Sequence, residues 1–222
     1  DGLEQVTNWQ LGPIRHVITD TLPNEANLVT PYDGPRRELL VHETTFRCPA
    51  DLDLAQPGAI TQLGGLLAAD PNRNQQIAHD ITAALQQRRK CLVLSRRRDH
   101  LTALAALLPK AEALIMRGGT GTRALAAIRE RIADADPADA LLVMTTVPYG
   151  GEGFDAPVID TVFLVGPISY PGLLVQAVGR ALRRHEGKAN VIVHDYLDTN
   201  VPVLKVQHSR RRVAYRQMGF LG

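Results

Sequence analysis

CLVLSRRRDHLTALAALL, residues 91–108, sets a short aliphatic run against a stretch of helical spacing, with three arginines at the joint. The first five residues read as a buried strand and the segment from Asp99 as a helix. The same unit recurs downstream: strand EALIMR then helix TRALAAIRERIADA, strand ALLVMTT then a long loop, strand DTVFLV then helix LLVQAVGRALRR, and strand NVIVHDY. Short β-branched runs alternating with helical periods predict an α/β domain, a parallel sheet with helices on both faces.

Upstream, RRELLVHETTF (36–46) reads as a strand and Ala59 to Ala69 as a short helix. In DPNRNQQIAHDITAALQQRRK, Asp70 is placed as an N-cap, Pro71 suits the first helical position, and Ile77, Ile81 and Leu85 recur every four residues. A last helix is expected from Pro202, ending in the basic SRRRVAYRQ. Residues 1–35, rich in Pro, Asn and Gly and without a sustained period, read as a connector from an upstream domain, and residues 36–222 as the folded domain.

The chain has 222 residues, 45% hydrophobic and 22% charged, with a net charge of +2, an ordinary composition for a globular protein. No apolar run approaches the roughly 20 residues that cross a bilayer, and DGLEQVTNWQ has no secretory-signal pattern. The opening without Met suggests a piece of a longer protein. Cys48 and Cys91 stand far apart, Cys91 inside an aliphatic run, which fits reduced thiols in a cytoplasmic protein better than a disulfide or metal site. Basic residues cluster at Arg36-Arg37, Arg88-Arg89-Lys90, Arg96-Arg97-Arg98, Arg183-Arg184 and Arg210-Arg211-Arg212. Such runs neutralise phosphates if they share a face and are solvated surface if they do not.

Ligands of an open parallel sheet sit beyond the carboxyl ends of its strands, so the loops there carry the candidates. RGGTGTRA (117–124) matches the dinucleotide fingerprint G-x-G-x-x-G/A at Gly119, Gly121 and Ala124, yet the next strand ends in threonines, not in the acid that holds a ribose. The alternative is a glycine turn that lets backbone approach a phosphate chain or another loop. TTVPYGGEGFDAPVID (145–160) places two hydroxyls, three glycines and Asp155 in one loop, a set that suits sugar hydroxyls and phosphate oxygens or a self-capped turn. In QAVGRALRR (176–184), about 100° per residue puts Gln176, Arg180 and Arg183 on one stripe opposite Leu174, Ala177, Val178, Ala181 and Leu182. Gly179 costs the helix roughly 1 kcal/mol relative to Ala, which a close approach beside Arg180 would explain. No G-x-x-x-x-G-K-[ST] cradle, Asp-Glu pair or zinc-protease pattern occurs.

Taken in order, these pieces resemble the second RecA-like domain of superfamily 2 helicases and translocases, a P-loop NTPase-type fold. CLVLSRRRDHLTALAALL is similar to motif IV, RGGTGTR to a loop that touches the nucleic-acid backbone, MTTVPYGGEGFDAP to motif V, and QAVGRALR to the Q-x-x-G-R-x-x-R motif VI. The wording of EGFDAPVIDTVFLVGPIS is most similar to bacterial DEAD/DEAH-like and restriction-type helicases. The resemblance implies ATP with Mg in a cleft between two RecA-like domains, held mainly by a first domain upstream of Asp1. It implies Arg180 and Arg183 as arginine fingers, Gln176 ordering the same site, and Gly153 and Asp155 on the ribose side. Ser95, Arg96, Arg117, Gly118, Thr145 and Thr146 are implied to face the sugar-phosphate backbone. The interior Tyr149-Gly150-Gly151-Glu152 departs from the commonest RNA helicases, so DNA is the expected polymer. On this reading the parent hydrolyses ATP and the isolated chain does not. The rival readings are a non-catalytic nucleic-acid-binding module and a dinucleotide enzyme built on RGGTGTRA.

Overall fold

In the computed structural model, residues 34–108, 113–146, 156–168, 171–183, 185 and 187–220 are described, without the side chains of 171, 173, 176, 177 and 180. The expected connector lies almost wholly outside these residues, as does the loop holding Gly153 and Asp155. In chain order the elements are β1 (Arg36–Glu43), α1 (Ala59–Ala69), α2 (Pro71–Gln86), β2 (Lys90–Ser95), α3 (Arg98–Ala106), β3 (Ala113–Met116), α4 (Thr122–Ala133), β4 (Leu141–Thr146), β5 (Thr161–Leu164), α5 (Pro171–Ala181), β6 (Asn190–Leu197) and α6 (Pro202–Gln217). The strands form one sheet in the order β1-β6-β5-β2-β4-β3, parallel throughout.

Parallel strands need crossovers, and the crossovers cover both faces. Leu92, Leu94, Val162, Leu164, Val191 and Val193 point to a core closed by α4, α5 and α6. The alternate residues Cys91, Val93, Phe163 and Val165 point to a second core closed by α2 and α3. The central strands are therefore buried along their length, which is why they read as unbroken apolar runs. Cys91 is a fully buried free thiol, its pKa raised by burial.

Local signals set the helix ends. Asp70 accepts a hydrogen bond from the Arg73 backbone N–H at 2.7 Å and Pro71 opens α2. Ser95 Oγ accepts from the Arg97 N–H at 3.1 Å, just ahead of α3. A third cluster, Phe46, Leu63, Leu67, Val201 and Leu204, fastens α1 to the start of α6.

The connection leaving β2 crosses toward β3 on one side, whereas the connection leaving β5 crosses toward β6 on the other. β2 and β5 are neighbours. The crevice outside their carboxyl ends is therefore the topological switch point, where such sheets bind ligands.

Candidate ATP-side helix and nucleic-acid edge

α5 packs by the face its spacing assigns: Leu174, Val178 and Ala181 are fully buried. Burying Leu174 and Val178 stabilises the domain by roughly 1.5–3 kcal/mol each. Arg183, expected on the helical stripe, lies two residues past the end of α5 and is exposed, and a Cβ built on Gly179 would meet nothing within 4 Å among the described residues. No close approach among the described residues accounts for that glycine. Gln176 and Arg180 occupy helical positions four residues apart in α5, their side chains being outside the described set.

The carboxyl end of α5 is tied down by Lys188. Its ammonium donates to the carbonyls of Ala181 and Arg183, each at 3.0 Å, and to that of Pro157. Burial pushes the Lys188 pKa down to about 8, with Asp160 pulling the other way. One cation thus joins the end of the arginine-bearing helix to the segment that follows Asp155.

At the carboxyl edge the expected backbone-contacting residues divide. Arg96 and Arg117 are exposed and Gly118 is half-buried. The Arg117 guanidinium donates to Thr102 Oγ1 at 3.2 Å, and Arg98 donates to the Gly118 carbonyl at 3.3 Å. These groups, with Gly119 and Thr120, rim an open hollow. Gly119 has φ +93°, the left-handed geometry that the turn requires, and a Cβ there would meet nothing within 4 Å. Ser95, Thr145 and Thr146, by contrast, are buried at 1%, 0% and 6% exposure. Ser95 Oγ bonds His100 Nδ1 at 3.2 Å, and Thr145 Oγ1 donates to the Thr146 carbonyl at 3.2 Å. Central strands covered on both faces leave their terminal hydroxyls inside.

Two features escaped the sequence reading. Arg73, 2% exposed, pairs with Asp198 at 2.9 Å and donates to the Val165 carbonyl at 2.7 Å, while Thr44 donates to the same carboxylate at 2.6 Å. This buried group joins α2, the residue after β5, the residue after β6 and the residue after β1 at the carboxyl edge of the sheet. Its signal was slight: Arg73 lies four residues before Ile77, on the apolar stripe of α2. The second is a cleft of about 350 Å³ at the switch point, bordered by Ser95, Arg96, Gly166 and Gln207. His100 hydrogen-bonds Asn74 Oδ1 at 3.0 Å behind that cleft, and burial together with the Arg73 charge pushes its pKa down to about 3. Among the described residues no His/Cys/Asp/Glu group has metal-binding geometry, and no helix is long and apolar enough to cross a membrane.

Residues 74–185, just over half of the chain, match the family model "Helicase conserved C-terminal domain". No curated protein matches the sequence. Among solved structures the chain is similar to UvsW of T4, with a TM-score of 0.62, 18% identity, and coverage of 83% of this chain and 40% of that one. It is also similar to the C-terminal part of the Fun30 ATPase domain, with a TM-score of 0.54, 16% identity, and coverage of 64% of this chain and 46% of that one. The chain thus spans less than half the length of either structure, and the six-stranded sheet is the RecA-like fold of these neighbours.

Proposed function

Because the chain belongs to the helicase conserved C-terminal domain family, we propose that it is the second RecA-like domain of an ATP-dependent helicase or translocase, contributing half of the ATP site and part of the nucleic-acid track. The observation that carries this reading is α5, which buries Leu174, Val178 and Ala181 and leaves Gly179 with open space beside it among the described residues, with Arg183 exposed just past the helix end. A surface of this kind is completed from outside. Arg180 and Arg183 bind the phosphate oxygens of ATP held by a first RecA-like domain, because a planar, permanently charged guanidinium can contact two oxygens at once. Gln176 orders the same site, and Gly153 and Asp155 take the ribose side. Mg held by the first domain neutralises phosphate charge. Lys188 ties the end of α5 to the carbonyl of Pro157.

On the carboxyl edge, Arg96, Arg117 and the backbone at Gly118 take the sugar-phosphate chain, contacts that carry no sequence information and so permit movement along a strand. Ser95, Thr145 and Thr146 serve that edge from inside, by holding the strand ends that present the arginines. DNA is the proposed polymer, on the departure at Tyr149 to Glu152.

The test uses the full protein that carries this chain. Arg183→Ala should lower nucleic-acid-stimulated ATP hydrolysis by roughly 10³–10⁵, the range of an arginine finger, while leaving nucleic-acid affinity within a few-fold. Unchanged turnover would sink the finger assignment, and ATP hydrolysis by residues 1–222 alone would sink the half-site.

A further inference from the structure

Two arginines with the same bonding pattern meet the chain ahead of α5, one from each face of the sheet. Arg73 of α2 turns Nε to Asp198 at 2.9 Å and Nη2 to the same carboxylate at 3.5 Å, while Nη1 donates to the Val165 carbonyl at 2.7 Å. Arg211 of α6 turns Nε and Nη2 to Asp195, each at 2.8 Å, while Nη1 donates to the Ile168 carbonyl at 3.5 Å, the looser of the two grips. All four charged side chains are 4% exposed or less. Both carboxylates come from the end of β6, Asp195 inside the strand and Asp198 just after it.

A buried ion pair adds little net stability, because the cost of desolvating both charges offsets their attraction. What such a pair supplies is direction. A guanidinium held by its Nε side to a carboxylate cannot swing, so its remaining edge is aimed at one place. Here both remaining edges are aimed at residues 165–168, the stretch that leads from β5 toward α5. Val165 is buried in the core under α2 and α3 and Ile168 in the core under α5 and α6, so this stretch passes from one face to the other. Its middle is held as well: the Val165 N–H donates to the Leu94 carbonyl at 3.1 Å, and a Cβ on Gly166 would lie 3.6 Å from Ser95 Oγ and 3.7 Å from the Arg96 nitrogen. A neutral donor would satisfy each buried carbonyl; a guanidinium locked to its own carboxylate also fixes where that carbonyl lies.

We propose that Arg73 and Arg211 are positioning residues for α5: by gripping residues 165–168 from both faces of the sheet, they set where the helix delivers Arg180 and Arg183. This rests on the arginine-finger reading above and adds to it the parts of the fold that aim the fingers. A misplacement of about 1 Å can cost a catalysed step on the order of 10²-fold. The two grips therefore act on turnover and not on the affinity for ATP or nucleic acid.

The full protein that carries this chain is assayed for nucleic-acid-stimulated ATP hydrolysis as Arg73→Lys and Arg211→Lys, each alone and each combined with Arg180→Ala and Arg183→Ala. Lysine keeps a positive charge opposite the carboxylate but lacks the planar fork that reaches carboxylate and carbonyl together. Each single variant should lower kcat by about tenfold to a hundredfold, Arg73→Lys more than Arg211→Lys, with the KM for ATP and the nucleic-acid affinity within about threefold of wild type. On the background without both fingers, neither should lower single-turnover hydrolysis further by more than about twofold, because residues that act through a common group are not additive. An unchanged kcat, with or without a rise in KM, overturns the proposal. So does an equal fall with and without the fingers, the mark of general damage to the fold. If Arg73→Lys does not fold, Arg211→Lys decides alone. If removal of both fingers leaves turnover at the wild-type level, the finger reading fails and the positioning role falls with it.

Discussion

Two populations of arginine share this domain. Arg73 and Arg211 are buried, each facing its own carboxylate: Arg73 Nε meets Asp198 at 2.9 Å, and Arg211 grips Asp195 with two donors at 2.8 Å, where Tyr215 adds a third bond at 2.9 Å. Arg96, Arg98 and Arg117 are exposed at the carboxyl edge, and the bonds that Arg98 and Arg117 make go to neutral oxygens. The first population has its counter-charge built in; the second waits for one. The difference separates arginines that hold the fold from arginines available to an anion, a distinction that net charge alone conceals.

The strongest way to break this comparison is Arg73→Met. It leaves Asp198 a buried charge with the Thr44 hydroxyl as its remaining side-chain hydrogen bond among the described residues and should destabilise the domain by about 3–5 kcal/mol in urea denaturation, whereas Arg96→Met should stay within about 0.5 kcal/mol. Equal costs would erase the division. A smaller effect lies in the acid limb. The folded pKa of His100, about 3, is below its ordinary 6.5, so between these values the unfolded chain holds the extra proton and stability falls as pH drops. His194, also pushed down to about 3 by burial and by His42, acts in the same direction. His100→Asn should make that limb shallower by up to about 1.4 kcal/mol per pH unit, read from urea midpoints between pH 7 and 4; an unchanged slope would show that burial and the Arg73 charge do not hold His100 neutral in the folded state. The smallest effect is on the exposed set: Arg96→Ala and Arg117→Ala should each reduce the salt slope of nucleic-acid binding by about one unit, evenly across sequences. A change that depends on sequence would point to base readout by these side chains.

The alternation of strands and helices, the Asp70-Pro71 cap, the bounds of α1 and the start of α6 at Pro202 were legible in the sequence, because local spacing and capping decide them. So was the buried face of α5. The sheet order was not, since the neighbours β1 and β6 are far apart in the chain. Arg210-Arg211-Arg212 reads as one basic run, yet only Arg211 is buried; the four-residue ladder Gln207, Arg211, Tyr215 on α6 was the available sign. Ser95, Thr145 and Thr146, which the resemblance implies to face the sugar-phosphate backbone, are buried in this domain, because a central strand is covered on both faces. The basic clusters do not share a face: Arg89 bonds Thr161, Asn190 and the Asp160 carbonyl where strands begin, and Arg96 lies where they end.

The pairing of β1 with β6 has a consequence during synthesis. Arg36 finds its partner in Asn190 and Glu43 in Leu197, so a chain emerging N-terminus first must wait on the order of ten seconds or more before β1 can join the sheet. Through that interval Leu39, Leu40 and Val41 form a short sticky strand with nothing to pair with. Arg36, Arg37 and Glu38 on one side and His42 and Glu43 on the other flank it with charge and polarity, the arrangement that keeps a nascent strand from pairing with its copies. The opening segment RRELLVHE is thus written as much for the unfinished chain as for the finished sheet.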